Sequence, residues 1–335
     1  MSGMSILTRE GEADRFEAAA AALRGAADRD EFDQGPFGRR YHPLALGDRY
    51  RDRALVVLDS GRPVALFDCG CLGGTYGYFG MPIRPRFAEG LGARPLAAAL
   101  AAFRGHLAGH AAADGAACAV IEGGAPAGVL PPLGVRLSAL DALPKVVLHA
   151  VVDLTQSADA IRRGVRERYR SMINWGRANL TLRYVNAGAP DRALFDSYQA
   201  FHARIAGRVT RPQASWDAMF EALAQGAGEL SLGYDANGTL LCGVMALEGE
   251  RVAHYASGVY ERDAFDRPLG HWPLFNAILR AKERGRAWFD VGKIPPPDEP
   301  DAKVRSIGRF KRGFSDRIEA AMVWTLPLAA AKEPE

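Results

Sequence analysis

The order of elements in residues 229–291 limits what this chain can fold into more than any other feature. Three apolar runs, Leu230–Tyr234, Leu240–Leu247 and Val252–Val259, are separated by turns, the first of them Ala236-Asn237-Gly238. Short runs split in this way predict antiparallel strands. A helix-spaced segment, Pro273–Gly285, then leads into a further apolar run, Ala287–Val291. The same order describes residues 53–121. Ala54–Leu58 and Val64–Phe67 flank Asp59-Ser60-Gly61-Arg62 as a hairpin, and glycine-rich Cys69–Phe79 reads as a bent strand. Pro95–Ala112 places Leu96, Leu100 and Phe103 at helical spacing, and Ala116–Ile121 reads as a strand. One architecture is used twice, in an α+β class, without a residue-level repeat.

The remaining segments connect these two blocks. Ala13–Ala27 is alanine-rich and reads as a surface helix, and Asp33–Pro43 as a loop turning at Gly35-Pro36. The Gly/Pro/Leu-rich stretch 122–144 marks a boundary. This predicts an N-terminal domain 1–144 (with a helical segment 1–40), a C-terminal domain 145–326 and a tail 327–335. In the second domain Val146–Leu154 reads as a strand. Ser157 then caps a helix running to Gly176, on which Arg163, Arg166 and Arg170 recur at i, i+3 and i+7 and so share a face. Leu180–Val185 reads as a strand, and Asp191–Arg204 and Ser215–Leu223 as helices. The link between those helices exposes Arg208 and Arg211.

Charge is informative through its distribution. The 335 residues are 48% hydrophobic and 24% charged, as in soluble globular proteins, with a net charge of only +3. Yet 162–177 holds six basic residues against Glu167, and 303–317 six against Asp316. Two local anion-facing patches follow. Cys69, Cys71, Cys118 and Cys242 form neither a CxxC pair nor a disulfide framework, which fits a reducing compartment. Cys69 and Cys71 read as small core residues on one strand face. No apolar run reaches ~18 residues, and the expected location is the cytoplasm, with a substrate at a membrane surface still compatible. His106 and His110 lie one helical turn apart, but without a third ligand they read as a surface pair, and no metal is expected. Gly73-Gly74 lacks the Lys-Ser/Thr of a phosphate loop.

Chemistry concentrates in Phe289–Phe314. Asp290-Val291-Gly292 ends a strand, prolines 295–297 impose an irregular loop, and Lys303, Arg305, Arg309, Lys311 and Arg312 return the chain. An acid, a glycine and clustered cations around one bend suit an anionic ligand. The alternative is a strand end, a surface loop and a solvated basic strand.

The ordered segments of the second half resemble the FemA/FemB-like (FemAB) branch of the acetyltransferase-like (GNAT) fold. They are Arg168-Tyr169-Arg170 with Asn174-Trp175-Gly176, Phe201-His202…Gly207-Arg208, and Ala253-His254-Tyr255-Ala256-Ser257-Gly258. Pro268–Pro273, Phe289–Gly292 and Ile307–Phe314 complete the set. The resemblance spans about residues 145–325 and extends more weakly to about residue 45. It implies tandem GNAT-like (acyl-CoA N-acyltransferase-like) domains and an aminoacyltransferase. Such an enzyme moves an aminoacyl group from aminoacyl-tRNA to an amine on a sugar, peptide or small molecule, in cell-wall, polysaccharide or secondary-metabolite biosynthesis. Two departures stand out: the helical-hairpin insertion of cell-wall members has no counterpart, and Trp272 occupies the last small position of the acetyl-CoA loop pattern. That indole disfavours coenzyme A, so no cofactor is expected beyond the aminoacyl-tRNA co-substrate. Acyl-CoA or a carrier-protein thioester is the alternative donor. A silent tandem module binding anionic glycan or RNA is the alternative function.

Lys311 matches the family's lysine near the reacting carbonyl, which implies phosphate or oxyanion stabilisation. Asp290 is the candidate general base or orienter of the amine, with pairing to Lys293 or Arg309 as the plain alternative. His202 and His271 are the histidines expected to line a cleft. Arg168, Tyr169, Arg170, Arg208, Arg211, Lys293 and Arg309 are candidates for holding phosphate, carboxylate or the donor's nucleotide end. Tyr255 and Ser257 are expected to share a strand face and hydrogen-bond substrate.

Overall fold

The computed structural model describes residues 3–25, 32–123 and 129–328. Two compact units emerge, one of 1–26, 46–147 and 320–335, the other of 27–45 and 148–319. In chain order the first elements are β1 (Met4–Thr8), α1 (Ala13–Leu23), α2 (Pro36–Leu46), β2 (Arg51–Asp52), β3 (Leu55–Asp59), β4 (Arg62–Phe67), β5 (Gly70–Leu72), β6 (Thr75–Gly77) and β7 (Arg86–Phe87). Next come α3 (Ala93–Asp114), β8 (Cys118–Glu122), α4 (Pro132–Ser138), β9 (Leu143–Asp153), α5 (Ala158–Gly164), α6 (Glu167–Asn179) and β10 (Thr181–Val185). The chain continues with α7 (Arg192–Ala206), α8 (Gln213–Ala224), β11 (Gly228–Tyr234), β12 (Leu240–Glu248), β13 (Val252–Tyr260), α9 (His271–Glu283), β14 (Trp288–Ile294), α10 (Ala302–Arg312) and β15 (Arg317–Pro327).

In the first unit the expected hairpin forms between β3 and β4, and β1 and β7 flank it in the order β1-β3-β4-β7. Cys69–Phe79 is a tight hairpin, β5–β6, turning at Gly73-Gly74. Strand β6 then pairs in parallel with β8 across the long helix α3. Phe67, Phe103, Tyr76 and Trp324 form the centre of this core, with Cys69 and Cys71 buried among them.

In the second unit the strands run β10-β11-β12-β13-β14-β9, all antiparallel except β13 with β14. Both units therefore hold a parallel pair joined by a helix: β6-α3-β8 and β13-α9-β14. One face of the second sheet carries Val244, Ala246, Ala253, Phe289 and Val291 against α6 and α9. The other carries Leu230, Leu232, Met245 and Leu247 against α7 and α8, with Phe37 and Tyr41 of α2 packed on that layer. Each fully buried Phe or Leu in these layers contributes roughly 1.5–3 kcal/mol from removal of apolar surface from water. At the far end of α9, Arg280 and Arg284 reach the buried carboxylates of Glu229 and Glu248, which Arg286 also contacts.

Four expectations are corrected. Residues 303–312 form the helix α10, not a strand. Asp301 caps it by accepting from the backbone N–H groups of Lys303 (2.7 Å) and Val304 (3.3 Å), and Gly308 lets it lie on the proline loop, where a Cβ would stand 2.2 Å from Pro295 Cδ. Segment 33–43 is largely the helix α2, which tolerates Pro43 because Phe37 and Tyr41 stack at 5.1 Å and pack as one apolar face. The basic helix after Ser157 is two helices, broken where buried Val165 turns extended and the Arg166 N–H donates to Gly313 O at 2.9 Å. Arg163, Arg166 and Arg170 therefore do not share one helical face. Tyr255 and Ser257 also part company. A bulge at Ala256 sets Tyr255 opposite Ala246 but Ser257 opposite Met245, so the two side chains point to opposite faces.

Candidate active site

Strands β13 and β14 pair in parallel only from Val252–Trp288 to His254–Asp290. Beyond that point the bulge in β13 and a second one in β14, at Val291, break the ladder. The polar groups gather at this break. On β14, Phe289 and Val291 enter the α6–α9 layer, so Asp290 projects from the opposite face. His149 of β9 and His254 of β13 project from that same face, since their neighbours Ala150 and Ala253 enter the α6–α9 layer.

The Asp290 carboxylate is closely held. His149 Nδ1 lies 3.0 Å from Oδ2, His254 Nδ1 lies 3.6 Å from the same oxygen, and the Gly292 N–H donates to Oδ1 at 2.7 Å. Burial works against the charge, but the two imidazoles outweigh it and hold the carboxyl well below the usual carboxylate range. A carboxylate held that low is a weak proton acceptor near neutral pH, although it orients both rings. The second ring nitrogen of His254, Nε2, is buried, with the Phe32 ring centred 4.7 Å from the imidazole, and has no hydrogen-bond partner among the described residues. An Asp–His pair with a free ring nitrogen directed away from the carboxylate is the arrangement of a general base and its orienting group.

Lys311 approaches from α10. Gly292 has φ of +109°, a conformation that favours glycine, and a Cβ there would lie 2.7 Å from Lys311 Nζ and displace the amine. Burial lowers the Lys311 pKa, the Lys293 charge lowers it further, and Asp290 opposes both. A half-buried amine beside an acid at a broken strand pair can stabilise developing negative charge on a carbonyl oxygen.

The other predicted residues fall into two groups and some isolated positions. His202, Arg211 and Ser257 come together on the α7–α8 side. Thr210 Oγ1 is 3.3 Å from His202 Nδ1, Arg211 stacks over Trp216 at 4.9 Å, and Tyr198 hydroxyl donates to Ser257 Oγ at 2.9 Å. Tyr169 and His271 meet in an aromatic cluster with Phe310 and Phe314, their own rings 4.5 Å apart, and the Tyr169 hydroxyl donates to Arg309 O. Arg168 and Arg309 are exposed beside this cluster and act on the Tyr169 phenol by charge. The Arg170 guanidinium is spent on the carbonyls of Val165 and Arg163, holding the α5–α6 break. Tyr255 hydroxyl meets that of Tyr260 at 2.8 Å within the α6–α9 layer. Arg208 is exposed at the link between α7 and α8. Trp272 turns against α6, where a Cβ on Gly176 would stand 2.4 Å from its own Cβ. His149 received no role from the sequence, and His254 was read only as part of a motif. The signal for them is alternation: His254 stands between Ala253 and Tyr255 of the apolar layer, and His149 directly precedes Ala150 of that layer. Among the described residues no cluster of three or more His, Cys, Asp or Glu could hold a metal.

Comparison with known proteins agrees with this architecture. Residues 163–311 match the family described as an acetyltransferase (GNAT) domain. No curated protein matches the chain in sequence. Among solved structures the chain is similar to FemX, at 12% identity over 91% of this chain and 95% of that chain, with a TM-score of 0.60. It is similar to a tandem GNAT protein from the clavulanic acid biosynthesis pathway, at 14% identity over 99% and 100%, TM-score 0.60. It is also similar to L-PGS from Bacillus licheniformis, at 13% identity over 92% and 90%, TM-score 0.56. At these identities the likeness is one of fold. The chain has the GNAT-like fold in tandem, as the FemAB-like resemblance implied, with the acetyltransferase (GNAT) domain match falling on residues 163–311. Among the described residues no helix is long and apolar enough to cross a membrane.

Proposed function

We propose that the protein is an N-acyltransferase that forms an amide on an amine acceptor at the break between β13 and β14. The observation that carries this reading is Asp290 in contact with both His149 and His254, with the His254 Nε2 unpartnered among the described residues and the Lys311 amine against Gly292. The acceptor amine attacks the carbonyl carbon of an ester or thioester donor. A C–N bond forms as the C–O or C–S bond breaks, the amine proton passes to His254 Nε2, and the imidazolium returns that proton to the departing alkoxide or thiolate. Asp290 fixes the ring so that Nε2 is the acceptor, and Lys311 faces the oxygen that gains charge.

The donor we favour is aminoacyl-tRNA. It fits the cluster of exposed cations Arg168, Arg309 and Arg312. The hollow between the proline loop and α10, about 250 Å³ and lined by Pro295–Pro297, Arg305, Arg309 and Arg312, offers cations and flat apolar surface for a nucleotide end. An acyl-CoA or carrier-protein thioester would use the same reacting centre. Incubation with amine mixtures and either charged tRNA or acyl-CoA, read by mass spectrometry, tests the proposal. An amide adduct from one donor and its loss in His254→Gln are expected. No adduct from any donor, with salt-dependent binding of RNA or glycan, would replace catalysis by a binding role.

A further inference from the structure

The proposed base is covered in this structure. His254 Nε2 is buried without a hydrogen-bond partner among the described residues, so an acceptor amine does not reach it as the side chains stand. The Phe32 ring packs against the imidazole, with centroids 4.7 Å apart and planes tilted by 47°. Phe32 belongs to the turn that leads into α2, within the same compact unit as β13. The backbone of this turn is pinned. The Gly38 N–H donates to Phe32 O at 3.2 Å, His42 Nε2 lies 3.1 Å from Asp33 O, and Arg39 Nη1 donates to Gln34 O at 3.0 Å. The Phe32 side chain is less constrained. It is half-buried, and its stacking on Phe37, at 6.4 Å, lies toward the far end of aromatic contact.

There is room for the ring beside His254. A hollow of about 400 Å³ is bounded by Phe32 itself, by Phe37 of α2, by Ala218 and Ala222 of α8, and by Leu247 of β12. Leu247 pairs with His254 across the β12–β13 ladder and enters the α7–α8 layer. The hollow therefore adjoins the imidazole on the face from which it projects. An apolar cavity of ~150 Å³ is enough to take up benzene. A phenyl ring that leaves His254 for this hollow trades one apolar wall for another, and side-chain rotamer flips are fast compared with catalytic turnover.

We infer that Phe32 is a gate on His254: with its ring on the imidazole the base is covered and dry, and with the ring in the hollow Nε2 is open to the acceptor amine. Phe32 touches no reacting atom and is a positioning residue that acts through His254. The gate rests on the acyl-transfer reading for what the base does, though not for the covering of the imidazole. It has a chemical use in that reaction. An uncovered base beside an ester or thioester activates water as well as an amine, and the donor is then lost to hydrolysis. A base that stays covered until the acceptor displaces the ring directs the acyl group to the amine.

Carbethoxylation of His254 by diethyl pyrocarbonate, followed by peptide mapping of the full chain, reads the gate without any acyl donor. With an open state populated to about 0.1–10%, Phe32→Ala should speed modification of His254 at least about tenfold. Phe32→Leu, which keeps apolar bulk without the ring, should lie between. Ala222→Leu fills the hollow from α8 and should slow His254 modification at least about threefold by depopulating the open state. A ring that only packed on the imidazole would not respond to that change. If Phe32→Ala fails to fold, Phe32→Leu carries the comparison, and Ala218→Leu likewise replaces Ala222→Leu. With donor and acceptor present, Phe32→Ala should also raise the ratio of donor hydrolysis to transfer. An unchanged His254 rate in the folded Phe32 variant, an unchanged rate in the folded hollow-filling variant, or an unchanged hydrolysis ratio would overturn the gate. Absence of transfer from every donor, with His254 modification shifted as expected, would instead remove the transfer reading and leave the gate standing.

Discussion

Asp290 and His149 are 141 residues apart in sequence, yet the His149 Nδ1 atom lies 3.0 Å from a carboxylate oxygen of Asp290. The contact exists because β9 lies beside β14 in the sheet, and it fixes the carboxylate oxygen that His254 Nδ1 also approaches, at 3.6 Å. Removing the carboxylate while keeping its shape isolates this orienting role. Asp290→Asn should lower kcat by about 10²-fold, the lower end expected for misplacing a general base, with little change in KM. Single-turnover kinetics on either donor would show it, and an effect confined to KM would contradict it.

The same carboxylate sets a pH dependence of stability. Its folded pKa is depressed, so the stabilisation it brings is fully present above the unfolded value of about 4 and is lost as pH falls through the folded value. The melting-temperature gap between wild type and Asp290→Asn should therefore be flat from about pH 5 upward and shrink steadily in more acid buffers. Scanning calorimetry from acid to neutral pH is the measurement. A gap that grows on acidification would invert the sign.

Lys311 should show a trade between stability and turnover. Burial depresses its folded pKa, so the charged amine costs folding free energy at neutral pH, and that cost falls as pH rises through the depressed value. Lys311→Met should raise the melting temperature at pH 7 and narrow that advantage in alkaline buffer. Lys311→Ala should cut turnover at least ~10-fold, or about 1.4 kcal/mol of transition-state stabilisation. Wild-type turnover would remove Lys311 from the mechanism.

Gly292→Ala probes the approach of that amine without touching a charge. The new methyl group would sit 2.7 Å from Lys311 Nζ at a φ of +109°, so either the lysine or the strand must move. Turnover should fall about 10-fold, alongside a stability loss of roughly 1–3 kcal/mol from the strained backbone. Denaturant melts paired with initial rates would separate the two effects.

Glu248 is a structural test away from the site. Its side chain is fully buried and takes both Arg284 and Arg286. Glu248→Ala removes the carboxylate the two arginines share, leaving Arg284 on Glu229 and Arg286 on the Glu250 carbonyl, and should cost on the order of 1–3 kcal/mol. A change below about 1 kcal/mol in equilibrium unfolding would mean that solvent already screens the cluster.

Much of the fold was legible in the sequence. The strands β11, β12 and β13, the hairpin β3–β4 and the helices α3, α7, α8 and α9 follow from hydrophobic period and turn residues, which act over a few positions. The misreadings share a cause. Residues 303–312 hold five cations and a central glycine, a poor strand and a poor isolated helix alike, and the Asp301 cap and the contact with Pro295 decide between them. Pro43 reads as a helix terminator, yet the stacked Phe37 and Tyr41 keep its helix against an apolar layer. The bulge at Ala256 leaves no mark in composition, and it alone sends Ser257 away from Tyr255 toward Tyr198.

The tandem architecture, the basic clusters and the Asp290 carboxylate can be read from periodicity and residue type, which are local properties, and Lys311 from the family resemblance. Which groups stand together depends on strands and helices far apart in the chain. Asp290 meets two histidines, Arg211 meets a tryptophan and a tyrosine, and Arg170 is consumed by backbone carbonyls. Strand order and a single inserted residue set those meetings, and both are fixed by burial of whole sheet faces, which no short window of sequence contains.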